Sequence, residues 1–281
     1  MSRFYGASPV TFPTAPASRL RYCFHTTEDG RIPIVTDWPQ VLESLAAMPS
    51  VCIQIRHAYA RMSARVRASE PCLPLDLSPL KWKADAGGHA WAKLEVCSCC
   101  DSPGRLCVFN TAGQEYLQFC PPASIQAQGW AGVLAPLALL PEDEPAPVEA
   151  AGPDHPVLSD AAGMVSLHCN GLIQLLLAYA DLEEPLALAM RTAEASLIRS
   201  LVPDSVEFDD FQLTVRGDDC GFVLGLGGVR AFAIEERQGD EWLLAVGPGA
   251  TVLAEVGPAE GVRSRIIWQT LLHKALHDHA V

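Results

Sequence analysis

RLCVFNTAGQEYLQFCPPAS, residues 105–124, and WLLAVGPGATVLAEVGPAE, residues 242–260, are the two stretches whose reading decides the fold. Each alternates apolar and polar residues on either side of a glycine-bearing turn, the pattern of a half-buried β-hairpin. Gly113 and Gly249, Leu117 and Leu253, Pro122 and Pro258, and Ala123 and Ala259 agree at one constant offset. After each hairpin comes a stretch expected to be helical, WAGVL from Trp130 and WQTLL from Trp268, with a leucine four positions beyond the tryptophan. A hairpin followed by a tryptophan helix, present twice, predicts an internal repeat.

Upstream of the first hairpin, DWPQVLESLAAM offers Asp37 as a helix cap and places Val41, Leu42, Leu45 and Met48 on one stripe. SVCIQIRHAYARMSARV, residues 50–66, follows it as a strand. In the second half, MVSLHCNGLIQLLLAYAD (164–181) and PLALAMRTAEASLIRSLV (185–202) are expected to supply helices. FDDFQLTVRGDDCGFVLGLGGVRAFAIEER (208–237) is expected to supply paired strands joined by glycine-rich turns. GLGG at 225–228 sits between strands and not ahead of a helix, so it reads as a turn and not as a nucleotide-binding loop. The segment 135–163 is dense in proline, alanine and acidic residues and has no sustained period, which marks a linker. The expected organisation is a first repeat over 1–135, a linker over 136–163 and a second, more divergent repeat over 164–281. The fold class is α+β, two structural repeats, each an antiparallel β-sheet with packed helices.

Of the 281 residues 49% are hydrophobic, enough to bury a large core, yet no apolar run approaches the roughly 18 residues a membrane span needs. The N-terminus MSRFYGASPVTFP lacks the apolar centre of a signal peptide, so a cytoplasmic protein is expected. Thirty-three acidic against 20 basic residues give a net charge of −13, which disfavours nucleic acid and anionic membranes as partners. The 10 cysteines are expected to be reduced thiols. Cys97, Cys99 and Cys100, with Cys107 or His89, lack the paired-knuckle spacing of a zinc site. His273 and His277 have the i, i+4 spacing that holds a metal on a helix, without a metalloprotease carboxylate beside them. No serine elbow, phosphate-binding loop or carboxylate pair is legible.

His168 stands at the head of an apolar stripe. On a continuous helix it shares a face with Leu172, Leu175, Leu176 and Tyr179. Two readings follow from the residues: a core or interface histidine satisfied by its neighbours, or a metal or haem ligand.

The first half resembles the bacterial cytoplasmic haem-utilisation proteins of the hemin-degrading, HemS/ChuX type. WPQVLESLAAMPSVCIQIRHAYA, and the run from HAWAKLEV through RLCVFNTAGQEYLQF to QGWAGVL, carry the likeness over roughly residues 37–134. SLHCNGLIQLLL, FQLTVRGDDCGFVLGLGG and SRIIWQTLLHKAL carry it more loosely in the second half. Two repeats in one chain are similar to the tandem branch of that family. The resemblance implies a haem cofactor in a cleft between the halves, its iron bound by one histidine near the start of the second repeat, the place of His168. Leu172, Leu175 and Leu176 then wall the porphyrin slot, and Arg56, Arg216 and Arg230, with Lys81 and Lys83, are candidates for the propionates. Where the family carries an arginine before an LDL-like stretch this chain has PCLPLDL, with Leu73 and Pro74. Where its last hairpin offers tyrosine and arginine, TVLAEVGPAE offers neither before Arg263 and Arg265. The implied function is a haem carrier or store of iron acquisition, with a haem oxygenase or an import component as partner and a dimer compatible with it. The alternatives are a haem-degrading enzyme and a relative that has kept the fold for a protein-interaction or regulatory role.

Overall fold

The computed structural model describes residues 32–36, 38–68, 76–82, 91–97, 102–109, 115–120, 137–139, 157–160, 162–193 and 195–278. Trp130, Gly113, Asp37, Leu73, Pro74, Lys83, His89, Cys99, Cys100 and most of the 136–163 linker lie outside them.

Among the described residues two antiparallel sheets make up most of the molecule. The first has the order β12 (Ser205–Phe208), β13 (Gln212–Gly217), β14 (Cys220–Gly225), β3 (Ala60–Arg67), β2 (Ser50–His57), β7 (Glu115–Cys120), β6 (Ser102–Phe109), β5 (Trp91–Cys97), β1 (Ile32–Thr36) and β8 (Leu137–Leu139). The second runs β4 (Leu80–Trp82), β11 (Ala195–Leu201), β10 (Leu186–Arg191), β17 (Val252–Pro258), β16 (Asp240–Val246), β15 (Ala231–Arg237) and β9 (Gly163–Val165). Three helices among the described residues accompany them: α1 (Trp38–Ala46), α2 (Cys169–Leu182) and α3 (Val262–Asp278).

Both hairpins form. Leu106 pairs with Phe119 and Val108 with Leu117, while Leu243 pairs with Val256 and Ala245 with Ala254. Each also carries a bulge at the turn end, where the partner strand skips one residue, Tyr116 in the first and Leu253 in the second. The turn of the second hairpin needs its glycine, because Gly249 sits at φ 66°. Trp268 lies on α3, fully buried, and its indole Nε1–H donates to the Glu241 carbonyl at 2.6 Å.

Two expectations are corrected. SVCIQIRHAYARMSARV is a hairpin and not one strand: β2 and β3 pair from Ser50–Arg67 to His57–Ala60 around Ala58 and Tyr59. PLALAMRTAEASLIRSLV is likewise a hairpin and not a helix, β10 pairing with β11 from Leu186–Leu201 to Arg191–Ser196. Its turn is closed locally, Thr192 N–H donating to the Ala195 carbonyl at 2.7 Å and Ala195 N–H to Thr192 Oγ1 at 3.0 Å. The reason is burial: Leu186 to Met190 are covered on both faces, and a strand so placed loses the alternation that identifies it.

The halves exchange strands. β14, from the second half, pairs with β3 through Cys220–Ala64 to Leu224–Ala60, carrying β13 and β12 onto the first half's sheet. β4, from the first half, pairs with β11 of the other sheet. One apolar core therefore spans both: Val51, Ile53 and Ile55 of β2, Met62 and Val66 of β3, Leu188 and Met190 of β10, Leu172 and Leu176 of α2, and Trp268 of α3 belong to it.

Candidate functional site

α2 begins one residue after His168. That residue is its N-cap, extended at φ −95° and ψ 162°, with its carbonyl accepting from Gly171 N–H at 2.8 Å and from Leu172 N–H at 3.4 Å. The expected shared face is therefore corrected. Leu172, Leu175, Leu176 and Tyr179 are at most 2% exposed and belong to the core, whereas His168 is exposed, just outside the helical period. Its imidazole makes no capping hydrogen bond and has no ion-pair partner among the described residues. A histidine in this state can donate a ring nitrogen to an incoming group without first breaking an internal contact.

The strand pairing places one cation at the same end of the sheet edge as His168. β9 pairs with β15 through Gly163–Ile234, Met164–Ala233 and Val165–Phe232. His168 follows Val165 by three residues and Arg230 precedes Phe232 by two, so both lie at the same end of this pair. Arg230 is exposed, with its backbone N–H held by the Val246 carbonyl at 2.7 Å. Met164, on the same edge strand, is 59% exposed.

The other arginines lie elsewhere. Arg56 is on β2, 3.6 Å from Glu115. Arg216 is on β13, 3.4 Å from Glu207. Both belong to the ten-stranded sheet, whereas His168 and Arg230 border the edge of the seven-stranded one. Lys81 lies on β4, opposite Ser196 at the other edge of the seven-stranded sheet. Among the described residues no group of three or more His, Cys, Asp or Glu side chains has metal-holding geometry, His273 and His277 included. Instead His273 Nε2 is 3.3 Å from Glu241. Cys52, Cys107, Cys120, Cys169 and Cys220 are thiols without disulfides.

One cluster was not anticipated from the sequence. Glu255 on β17, 2% exposed, lies 2.8 Å from Arg191 Nε of β10 and accepts from Arg237 of β15 at 2.5 Å. Arg237 also binds Glu235 and lies 5.4 Å over the Trp242 ring. An acidic residue inside VLAEVGP was the available signal, because a carboxylate in an apolar strand needs cationic partners. Here the two guanidinium groups are matched by two carboxylates, so the cluster is electrically closed.

No family model matches the chain, and no curated protein matches it. Solved structures do. Holo-PhuS, a heme-binding protein from Pseudomonas aeruginosa, aligns over 87% of this chain and 86% of its own at 14% identity, with a TM-score of 0.65. ChuS, an E. coli heme oxygenase, aligns over 89% of this chain and 90% of its own at 11% identity, with a TM-score of 0.67. ChuS of Escherichia coli O157:H7, a heme degrading enzyme, aligns over 88% and 87% at 12% identity, with a TM-score of 0.66. At such identities the likeness is one of fold, and by fold this chain is a divergent, two-repeat α+β protein of the HemS-like architecture that PhuS and ChuS share.

Proposed function

We propose that this chain binds haem, with His168 as the iron ligand, and serves as a haem carrier or store of haem and iron utilisation. The observation that carries the reading is an exposed, uncapped histidine at the head of α2, in a fold shared with the heme-binding protein PhuS along most of both chains. A bound haem would supply the iron, and the chain would supply to it an imidazole nitrogen of His168. Arg230, at the same end of the β9–β15 pair, is the propionate partner best placed relative to His168. Leu172 and Leu176 act from beneath, anchoring the first turns of α2 in the core so that the N-cap holds its position. Arg56 and Arg216, on the other sheet, are the weaker propionate candidates.

Titration of the purified chain with hemin is expected to give a sharpened Soret band at one equivalent, lost in His168→Ala. An unchanged wild-type spectrum overturns the proposal. Degradation is the second reading, favoured by the likeness to ChuS. Single-turnover incubation of the loaded protein with ascorbate separates the two: a carrier keeps its haem absorption, and an enzyme converts it to a linear tetrapyrrole.

A further inference from the structure

Two of the thiols face each other. Cys52 of β2 is directly opposite Cys120 of β7, so both side chains leave the same face of the ten-stranded sheet, with Gln54 and Gln118 the next pair along it. That face is turned away from Val51, Ile53 and Ile55, the core residues of β2. Hydrogen bonding on the other flank of β2 fixes which kind of pair this is. Arg65 of β3 stands opposite Cys52, yet its N–H donates away from β2, to the Asp219 carbonyl at 2.6 Å. Cys52 and Arg65 therefore exchange no backbone hydrogen bonds, and the alternation of an antiparallel ladder turns the Cys52 N–H and C=O toward Cys120. Such a hydrogen-bonded pair sets its Cα atoms about 5.5 Å apart, inside the range of about 4.4–6.8 Å that a disulfide spans and close to its commonest value.

The neighbouring thiols are out of reach. Cys107 of β6 is opposite Gln118, two residues from Cys120 along β7. A two-residue offset of about 6.7 Å combined with a strand spacing of about 4.8 Å places its Cα about 8 Å from that of Cys120, beyond the roughly 7 Å limit for a bridge. Cys220 pairs with Ala64, and Ala64 with Ile53, which puts it two strands from Cys52 and on the core face.

The two thiols also differ in access. Cys120 is 4% exposed, whereas Cys52 is half-buried with the exposed Arg65 beside it. Cys52 can meet a reagent from solvent and Cys120 can answer it from the next strand, the division between an attacked and a resolving cysteine.

We propose that Cys52 and Cys120 form a reversible disulfide, with a small disulfide of the glutathione class as oxidant. The Cys52 thiolate attacks one sulfur of the oxidant, forming a mixed disulfide and expelling one glutathione thiolate; the Cys120 thiolate then attacks the Cys52 sulfur, closing the bridge and expelling the second. The two thiol protons pass to the two expelled thiolates, so two cysteines are oxidised while one glutathione disulfide is reduced to two thiols. Arg65 supplies a cation for the oxidant's carboxylates at the point of entry. Facing Cβ atoms of a strand pair stand about 4.5–5.5 Å apart, against about 3.5–4.5 Å in a disulfide, so closure draws the two strands together. That strain makes the bond easy to reduce, which suits a switch and not a permanent staple. The pair joins β2 and β7 of the ten-stranded sheet, whereas His168 borders the other sheet, so the reading does not depend on haem.

Peptide mapping of the native full chain tests it. The chain is equilibrated with glutathione buffers of rising oxidised fraction, trapped with N-ethylmaleimide and digested with trypsin and chymotrypsin. A peptide containing Cys52 joined to one containing Cys120 is expected, lost again on addition of dithiothreitol, with the far-UV circular dichroism unchanged throughout. Cys120→Ala is expected to stop at the glutathione adduct on Cys52, whereas Cys107→Ala and His168→Ala still form the bridge. The absence of this cross-link from the wild-type chain in the most oxidising buffer overturns the proposal, whether or not the variants fold. So does a bridge that forms only in urea-unfolded chain, or a Cys52 cross-link of equal yield in Cys120→Ala.

Discussion

Arg191 and Glu255, on the neighbouring strands β10 and β17, are joined at 2.8 Å with the carboxylate 2% exposed. The same carboxylate accepts from Arg237, so one acidic residue neutralises parts of two guanidinium groups. Glu255→Ala leaves both without it and is expected to cost about 2–3 kcal/mol, less than the roughly 3–5 kcal/mol of a fully buried broken pair because both arginines retain contact with water. Arg191→Ala should cost less, since Arg237 still holds Glu255. Urea midpoints of the two variants check the order.

Trp268 anchors α3 in two ways, to the seven-stranded sheet through the Glu241 carbonyl and to α2 through the Tyr179 ring at a centroid distance of 6.2 Å. Trp268→Phe keeps most of the ring packing and removes the donor, with an expected loss of about 1–2 kcal/mol. Trp268→Ala removes both and should cost roughly 3–5 kcal/mol. Denaturation curves of the pair separate hydrogen bond from packing.

Glu183 ends α2 in the left-handed region at φ 52° and ψ 35°, where its N–H is held by the Ala180 carbonyl. A side chain there is strained, and a negative charge at a helix C-terminus opposes the helix dipole. Glu183→Gly is expected to raise stability by about 1 kcal/mol. A lower urea midpoint contradicts it.

Burial pushes the Cys220 thiol from its ordinary value of 9.0 up to about 12, with Arg199 pulling weakly the other way. The raised folded value favours the neutral thiol, so its contribution is complete below pH 9 and is lost as the pH climbs toward 12. The stability advantage of wild type over Cys220→Ala should therefore shrink between about pH 9 and about pH 12, measured by urea unfolding at each pH.

His168 is exposed and holds no partner by its side chain among the described residues. His168→Ala is accordingly expected to stay within about 0.5 kcal/mol of the wild-type stability. Loss of the hemin spectrum in a variant of unchanged urea midpoint assigns the effect to ligation and not to unfolding.

Local periodicity settled the parts that depend on neighbours in the chain. Both hairpins, the α2 and α3 helices and the turn nature of GLGG were legible, because period two, period 3.6 and glycine each have a local steric cause. β10 was not, since a strand buried on both faces has no alternation to display. The chain alone also singled out His168, yet placed it among the leucines; a helix start one residue later moves it from the core to the surface. Strand exchange was beyond local reading altogether. Which edge β14 or β4 joins depends on partners more than a hundred residues away, and no periodicity encodes it. That exchange brings Arg216 onto the face of Arg61 and Arg65, and the β9–β15 pairing brings Arg230 to the end where His168 stands. The sequence by itself determined the elements and the chemistry they carry; only the tertiary structure decided which of those groups share a surface, because side chains meet through long-range register and not through spacing along the chain.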